Sequence, residues 1–337
     1  MTTLVRPATD ERVVPPARVR KVPAPLRKKR RKHRLFVAAL MAPWAIGFSA
    51  FFLYPLAATV WFSFTRYNLL EQPVFIGLRN YRFFFTKDPY SLQSVRNTLW
   101  LTAFVVPARI IFALIIAQLV IQIKRGGSLL RTVFYLPALA PPVAATLAFA
   151  YLFNPATGPV NQLLGKLGIG WQPLWFNDPA LAKPTLLILS VWGLGDVMVI
   201  LLATLLQVPN EQYEAAHLDG ANAWQRFRYV TLPNIWPVLL FAAVTGVIAM
   251  LQFFTQAAVA SAVAGGTAPV GGGLGERLGY PDNSMLTFPI WLYVKGFANF
   301  QLGYACAMAV MLFVVSLAFT VVLLRRSRVF LYGAEGA

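Results

Sequence analysis

The sequence predicts an all-α membrane protein that crosses the bilayer six times, and three observations predict it. Of 337 residues, 58% are hydrophobic and only 12% charged, where soluble domains carry roughly 25% charged residues. The apolar residues fall in runs long enough for a hydrocarbon core of about 30 Å, which takes roughly 20 residues of helix. Lysine and arginine crowd the ends of alternate runs, as the positive-inside bias asks of cytoplasmic segments.

Taken in order, residues 1–34 form a basic tail. It holds 12 of the chain's 30 Lys and Arg residues, among them the run Arg27 to Lys32, together with Pro7, Pro15, Pro16, Pro23 and Pro25. That composition predicts disorder. A basic block directly before a span serves as an orientation signal or a contact for anionic lipid, not as a nucleic-acid arm. A charged lead of this length is also too long for a cleaved signal peptide. The first span, 36–58, lies in a stretch with no charge from Leu35 to Thr65. The second, 98–122, is interrupted only by Arg109, and the fourth, 184–207, only by Asp196. The third (131–153), fifth (235–258) and sixth (301–324) sit in uncharged runs that end at Arg131 and Lys166, Arg228 and Glu276, and Lys295 and Arg325. Residues 35–92 thus read as the first span with an external segment, 93–325 as the membrane core and 326–337 as a second cytoplasmic tail. The segment 264–299, with Gly265-Gly266 and Gly271-Gly272-Gly273, reads as a mobile external loop because glycine adds backbone freedom.

Charge orients the six spans. Twenty basic residues fall on the side of the termini and nine on the other. Both termini and the segment around Glu214 are therefore expected in the cytoplasm, and an even number of spans independently requires the two ends to share a side.

The residue inventory argues against several kinds of chemistry. A single cysteine, Cys306, allows no disulfide framework within the chain, and His33 and His217 lie too far apart in setting for a metal site. Twelve acidic residues show no nucleophile–base pairing, and no G-x-x-x-x-G-K-[ST] phosphate loop is present. No catalytic residue, metal or resident cofactor is expected, and the chain is read as a non-enzyme. Arg109 and Asp196 stand out because each charge inside a span costs roughly 2.5–3.5 kcal/mol on insertion scales. Two readings are open. They line a substrate path, with Trp192, four residues before Asp196, stacking on a sugar ring; or they form a buried tie that sets helix register.

Between the fourth and fifth spans lies an ordered-looking polar island, Glu214-Ala215-Ala216-His217-Leu218-Asp219-Gly220, followed nine residues later by Val230-Thr231-Leu232-Pro233. Pro209 ends the span, Asn210 is expected to cap a new helix, and Gly220 sits where a helix end takes a left-handed residue. A second short helix is expected over 221–229, before Pro233 and Pro237. Tyr213, Ala216, His217 and Gly220 share a face. The spacing resembles the EAA loop of permease subunits from binding-protein-dependent ABC importers, with Val230 in place of the usual isoleucine. Phe75-Ile76-Gly77-Leu78-Arg79-Asn80-Tyr81 with Asn97-Thr98-Leu99, Arg131 to Pro137, and Gly158-Pro159-Val160-Asn161 resemble, in the same order, elements of the sugar-type members, similar to those for maltose, trehalose and glycerol phosphate. The resemblance covers residues 40–325.

What the resemblance implies is a type I ABC importer permease fold, with the EAA loop, 209–233, docking onto a separate ATPase through Glu214, Ala215, Ala216, His217, Asp219 and Gly220. It implies a second permease subunit, two ATPase subunits that hold the ATP and magnesium, an external solute-binding protein and a carbohydrate cargo. The setting it implies is the cytoplasmic membrane of a bacterium or archaeon. Two other readings compete: an ion-gradient-driven transporter using Asp196, and a membrane scaffold whose Glu214 loop binds some other partner.

Overall fold

The computed structural model describes residues 24–123, 125–266 and 278–332. Residues 1–23 of the tail, Lys124 and the glycine cluster 271–273 lie outside the described residues. The chain divides into two units, Met1–Ala57 and Ala58–Ala337.

In the first unit, helix α1 spans Ala24–Phe48 and a π-helical turn follows over Ser49–Leu53. The basic run Arg27 to Lys32, expected within a disordered tail, is therefore helical. Lysine and arginine are good helix formers, and Pro25 stands in the first turn, where its missing N–H is no loss. Trp44 stacks on Phe48 and Phe48 on Phe52, at 5.3 and 5.1 Å between ring centroids, the i to i+4 spacing of neighbours on one helix face.

The boundary between the units falls inside α2 (Tyr54–Ser63), and the first apolar span runs Phe36–Ser63. A two-residue antiparallel pair follows, Thr65 opposite Phe75 and Arg66 opposite Val74. Short α3 (Arg79–Thr86) leads to α4 (Ser91–Gln122). The second span thus starts seven residues before the expected 98, since Ser91, Ser94, Thr98 and Thr102 each satisfy their hydroxyls on backbone carbonyls one turn back. Pro107 is accommodated inside α4.

The third and fourth spans, expected as single helices, are both broken. The third is α5 (Gly127–Tyr135) with a 3-10 turn to Leu139, then α6 (Pro142–Leu152), bent by 97°. Pro141 and Pro142 cause the break: proline withholds a donor and holds the residue before it extended, and Ala140 has ψ 132°. The fourth is α8 (Ala182–Trp192) and α9 (Gly195–Leu205), bent by 47°. Between the two spans, α7 covers Pro159–Lys166. The elbow that follows carries α10 (Asn210–Leu218) and α11 (Ala223–Arg226). The fifth span runs on through α12 (Leu232–Leu251) and stops at Leu251, not 258; α13 (Thr255–Ala264) is a separate helix. The last span opens α15 (Leu302–Tyr332). Four continuous apolar helices and two bent pairs make up the six spans.

Helix α4 organises the core. Fully buried Ala113 and Ala117, one turn apart, lie in a cluster with Met198, Leu201 and Leu205 of α9 and Ile235 of α12. Small side chains allow the close helix approach that drives association where lipid is as apolar as leucine. Toward the other end of α4, Leu101 and Val105 join Leu186, Ile290 and Met308 in a second cluster.

The segment expected as a mobile loop is ordered where it is described. Leu278, Met285, Leu286, Ile290 and Trp291 are buried, and α14 covers Phe288–Tyr293. Buried Asn97 donates to the carbonyls of Asn283 (2.8 Å) and Leu286 (3.0 Å), and Thr98 accepts the Phe288 N–H (2.8 Å). Apolar burial and satisfied backbone groups outweigh the freedom of the flanking glycines.

Candidate functional site

Two constellations join the sequence-predicted residues to the fold, and α9 connects them. The first is the elbow. Pro209 (ψ 131°) ends the fourth span and itself occupies the position before α10, so Asn210 is the first helical residue and makes no side-chain cap. The helix closes as a Schellman motif: Gly220 N–H donates to His217 O (3.0 Å) and Ala221 N–H to Ala216 O (2.9 Å). Gly220 has φ 78°, and a Cβ there would meet nothing within 4 Å. The requirement for glycine is therefore conformational, since L-residues rarely adopt this backbone region.

The next helix starts at Ala223 instead of 221. Asn222 accepts the Gln225 N–H (2.9 Å) while the Gln225 side chain accepts the Asn222 N–H (2.8 Å), a reciprocal capping box. The Asn-x-x-Gln spacing was the available sequence signal. A π-helical turn, Phe227–Thr231, joins it to α12.

Two side-chain bridges brace the elbow on the fifth span: Tyr213 with Thr231 (2.9 Å) and Asn234 with Gln212 (2.8 Å). Tyr213 is thus half-buried, while Glu214, Ala215, His217, Asp219 and Gly220 are exposed and Ala216 half-exposed. Leu218, Trp224 and Tyr229 add a large exposed apolar surface at 88, 68 and 74%. Among the described residues Glu214 and Asp219 form no ion pair.

The second constellation is a cavity of about 190 Å3 at the break of the fourth span. Arg109 of α4 donates through Nη2 to Asp196 Oδ1 (2.7 Å) and to the Gly193 carbonyl (3.1 Å). Asp196 stands in the first turn of α9, where the helix dipole favours a carboxylate, and its Oδ1 also accepts the Val197 N–H (2.8 Å). The pair is uneven: Arg109 is 19% exposed and its Nε is buried with no hydrogen-bond partner among the described residues, whereas Asp196 is 55% exposed.

A four-residue spacing within one helix would put Trp192 and Asp196 on the same face, but α8 ends at Trp192 and α9 starts at Gly195, so they do not share one. Both nevertheless line the cavity, brought there by the bend. Trp192 leans on Phe149, 5.4 Å between centroids. Sequence reasoning missed Ser190 and Gln256 on the same wall; a glutamine within an uncharged run was the only signal for the latter. The cavity therefore offers an aromatic face, an accepting carboxylate and an amide, the few convergent polar groups that orient a ligand in a mainly apolar site, while the Ser190 hydroxyl donates to the Leu186 carbonyl (2.8 Å).

The bend itself depends on Gly195, where a Cβ would lie 2.4 Å from the Phe134 carbonyl oxygen and 2.7 Å from Tyr135 Cα. Gly195→Val should cost at least the roughly 1–3 kcal/mol of an overpacked core, read as lower yield of monodisperse protein and a lower melting temperature in detergent.

Comparison with known proteins fits this geometry. The profile of the family described as "Binding-protein-dependent transport system inner membrane component" matches residues 109–328, which include both constellations. The "Probable ABC transporter permease protein YesP" of Bacillus subtilis is 36% identical over 298 residues, 88% of this chain and 92% of that protein. The "Sulfoquinovosyl glycerol transport system permease protein SmoG" of Agrobacterium fabrum is 31% identical over 295 residues, 87% of this chain and 90% of its own length. A chain in the crystal structure of a bacterial ABC transporter that imports the acidic polysaccharide alginate superposes with a TM-score of 0.73 at 23% identity, over 90% of this chain and 98% of that one. The fold is the type I importer permease fold expected from the sequence. With the profile spanning most of the membrane core, and relatives aligned over nearly their whole lengths, the chain belongs to the family of inner membrane permeases of binding-protein-dependent ABC transporters.

Proposed function

We propose that the chain forms half of the translocation path of an ATP-driven carbohydrate importer and couples to a separate ATPase through the elbow at 209–233. The observation that carries this reading is the layout of α9. An 11-residue helix, about 16 Å long, bears Asp196 of the cavity in its first turn and leads at its other end, through Pro209, into the exposed surface of α10. A partner that moves α10 therefore tilts the helix that carries part of the cavity wall. Alternating access requires such a two-state element biased by ligand on both sides.

Glu214 and Asp219 offer carboxylates to basic groups of the ATPase, and Ala215, Ala216 and Gly220 allow close backbone approach. ATP and magnesium belong to two ATPase subunits, a second permease completes the path, and an external solute-binding protein delivers the cargo. The family supports this assembly, as does a relative named for a sugar glycoside. Arg109, Trp192 and Asp196 line the substrate path in this reading, and both termini and the elbow face the cytoplasm.

The test is uptake by vesicles carrying the reconstituted assembly. Expected is uptake of carbohydrate that needs internal ATP and the binding protein and is indifferent to ionophores. Uptake that an imposed ion gradient drives without ATP would instead assign the transport to Asp196 as an ion site. Assembly with no ATPase at all would favour a scaffold.

A further inference from the structure

We infer that the cargo admitted at the cavity of the fourth span is a neutral carbohydrate, and that Asp196 turns acidic sugars away. This rests on the translocation path proposed above and adds to it the charge of what passes. Among the residues that line the cavity, Arg109 and Asp196 carry charge, and they form one ion pair at 2.7 Å. A pair has no net charge, so what a ligand meets depends on which member is presented to it.

Exposure decides that. Asp196 is 55% exposed and Arg109 only 19%. Arg109 Nη2 is taken by Asp196 Oδ1 and the Gly193 carbonyl, and its Nε is buried. Asp196 is engaged through Oδ1 alone among the described residues, by Arg109 and the Val197 N–H. Its Oδ2 is thus left to accept from a sugar hydroxyl. To receive an acidic cargo, Arg109 would have to leave Asp196 and break a pair that is buried on the arginine side.

The cavity is small enough for that carboxylate to act on all of it. A volume of about 190 Å3 corresponds to a width of roughly 7 Å, inside the Debye length of about 8 Å at physiological ionic strength. Buried Leu189, Met250 and Phe253 wall it, and such low-dielectric surroundings screen a charge less than water does. The remaining polar contribution, the half-buried Gln256 amide, serves a hydroxyl as donor or acceptor and supplies no positive charge. A neutral ring finds partners here, whereas a uronate or sulfonate meets a like charge, the arrangement that suppresses wrong partners.

Charged thiol reagents test the field without any cargo. In the full chain with the subunits that co-purify, Cys306→Ala removes the single native thiol. Gln256→Cys or Ala145→Cys then places one thiol on the cavity wall, from α13 or from α6. Rates with cationic methanethiosulfonate ethyltrimethylammonium and anionic methanethiosulfonate ethylsulfonate are each divided by the rate for a free thiol, with and without ATP. Expected is a preference for the cation on the order of 10-fold, or about 1.4 kcal/mol, which Asp196→Asn brings to near unity at both positions. No preference, or one that survives Asp196→Asn, overturns the inference. So do thiols that neither reagent reaches in either condition, since a sealed cavity admits no cargo. Vesicle uptake separates this inference from the reading beneath it. The wild type is expected to import a neutral sugar in preference to the uronate of the same skeleton, and Asp196→Asn should raise uptake of the uronate relative to the neutral form about 10-fold. Equal import of the two by the wild type overturns the inference and leaves carbohydrate import standing. ATP-dependent uptake of no carbohydrate at all removes the transport reading, and this inference with it.

Discussion

Gly220→Pro should yield a protein that reaches the membrane in normal amounts, transports nothing and no longer brings its ATPase through purification. The expectation follows from the backbone. Gly220 has φ 78°, and proline holds φ near −65° and removes the N–H that closes the helix on His217. The turn would reopen, and α10 would leave α11 at a different angle. The damage stays local because nothing packs on Gly220. Gly220→Ala, which keeps the donor but strains the left-handed position, should lose part of the activity. Glu214→Lys provides the companion experiment without any backbone change. Glu214 is exposed and forms no ion pair among the described residues, so folding is spared. Reversing its charge against a basic partner should cost about 2–5 kcal/mol of association, or roughly 30- to several-thousand-fold in affinity. The measurement is ATPase recovered per permease together with ATP-dependent uptake. Normal values for both variants would remove the elbow from the coupling surface.

The second large effect is expected at the cavity. Asp196→Asn keeps an acceptor for Arg109 and for the Val197 N–H, and so should keep yield near wild type. It removes the charge that, in the proposed path, faces the cargo. Uptake per assembled transporter should fall about 10- to 100-fold, or roughly 1.4–2.8 kcal/mol, with the affinity of the external binding protein unchanged. Asp196→Ala goes further, because it leaves the mostly buried Arg109 with only the Gly193 carbonyl. Breaking a fully buried pair costs about 3–5 kcal/mol, and the 55% exposure of Asp196 places the expected cost below that. Arg109→Gln should harm yield less than Asp196→Ala does, since Asp196 is more exposed and sits at a helix N-terminus. Should yield alone fall in this series while uptake per molecule stays normal, the pair is a register tie and no part of the path.

Much of the architecture was legible in the residue order. Uncharged runs mark membrane helices because the hydrocarbon core tolerates little else, and all six runs correspond to spans. The left-handed turn at Gly220 was also legible, since a glycine after a helical run signals the position. The breaks were harder to see. Pro141-Pro142 announces an interruption without its angle, which packing sets at 97°. Gly193 and Gly195 gave little warning that the fourth span splits there, because the cause is a close backbone approach to Phe134 and Tyr135, some 60 residues away. The order of segment 278–298 was likewise hidden: its tethers, Asn97 and Thr98, lie about 190 residues earlier.

The amino-acid sequence by itself determined the class, the number of spans and the helix–turn–helix elbow, because each follows from local hydrophobicity, charge and backbone preference. Only the tertiary structure decided that Arg109 meets Asp196, that Trp192, Ser190 and Gln256 join them around one cavity, and that two spans bend to make room for it. Those outcomes depend on which distant surfaces touch. No period or spacing along a single helix encodes the angle at which a neighbour's backbone crosses it.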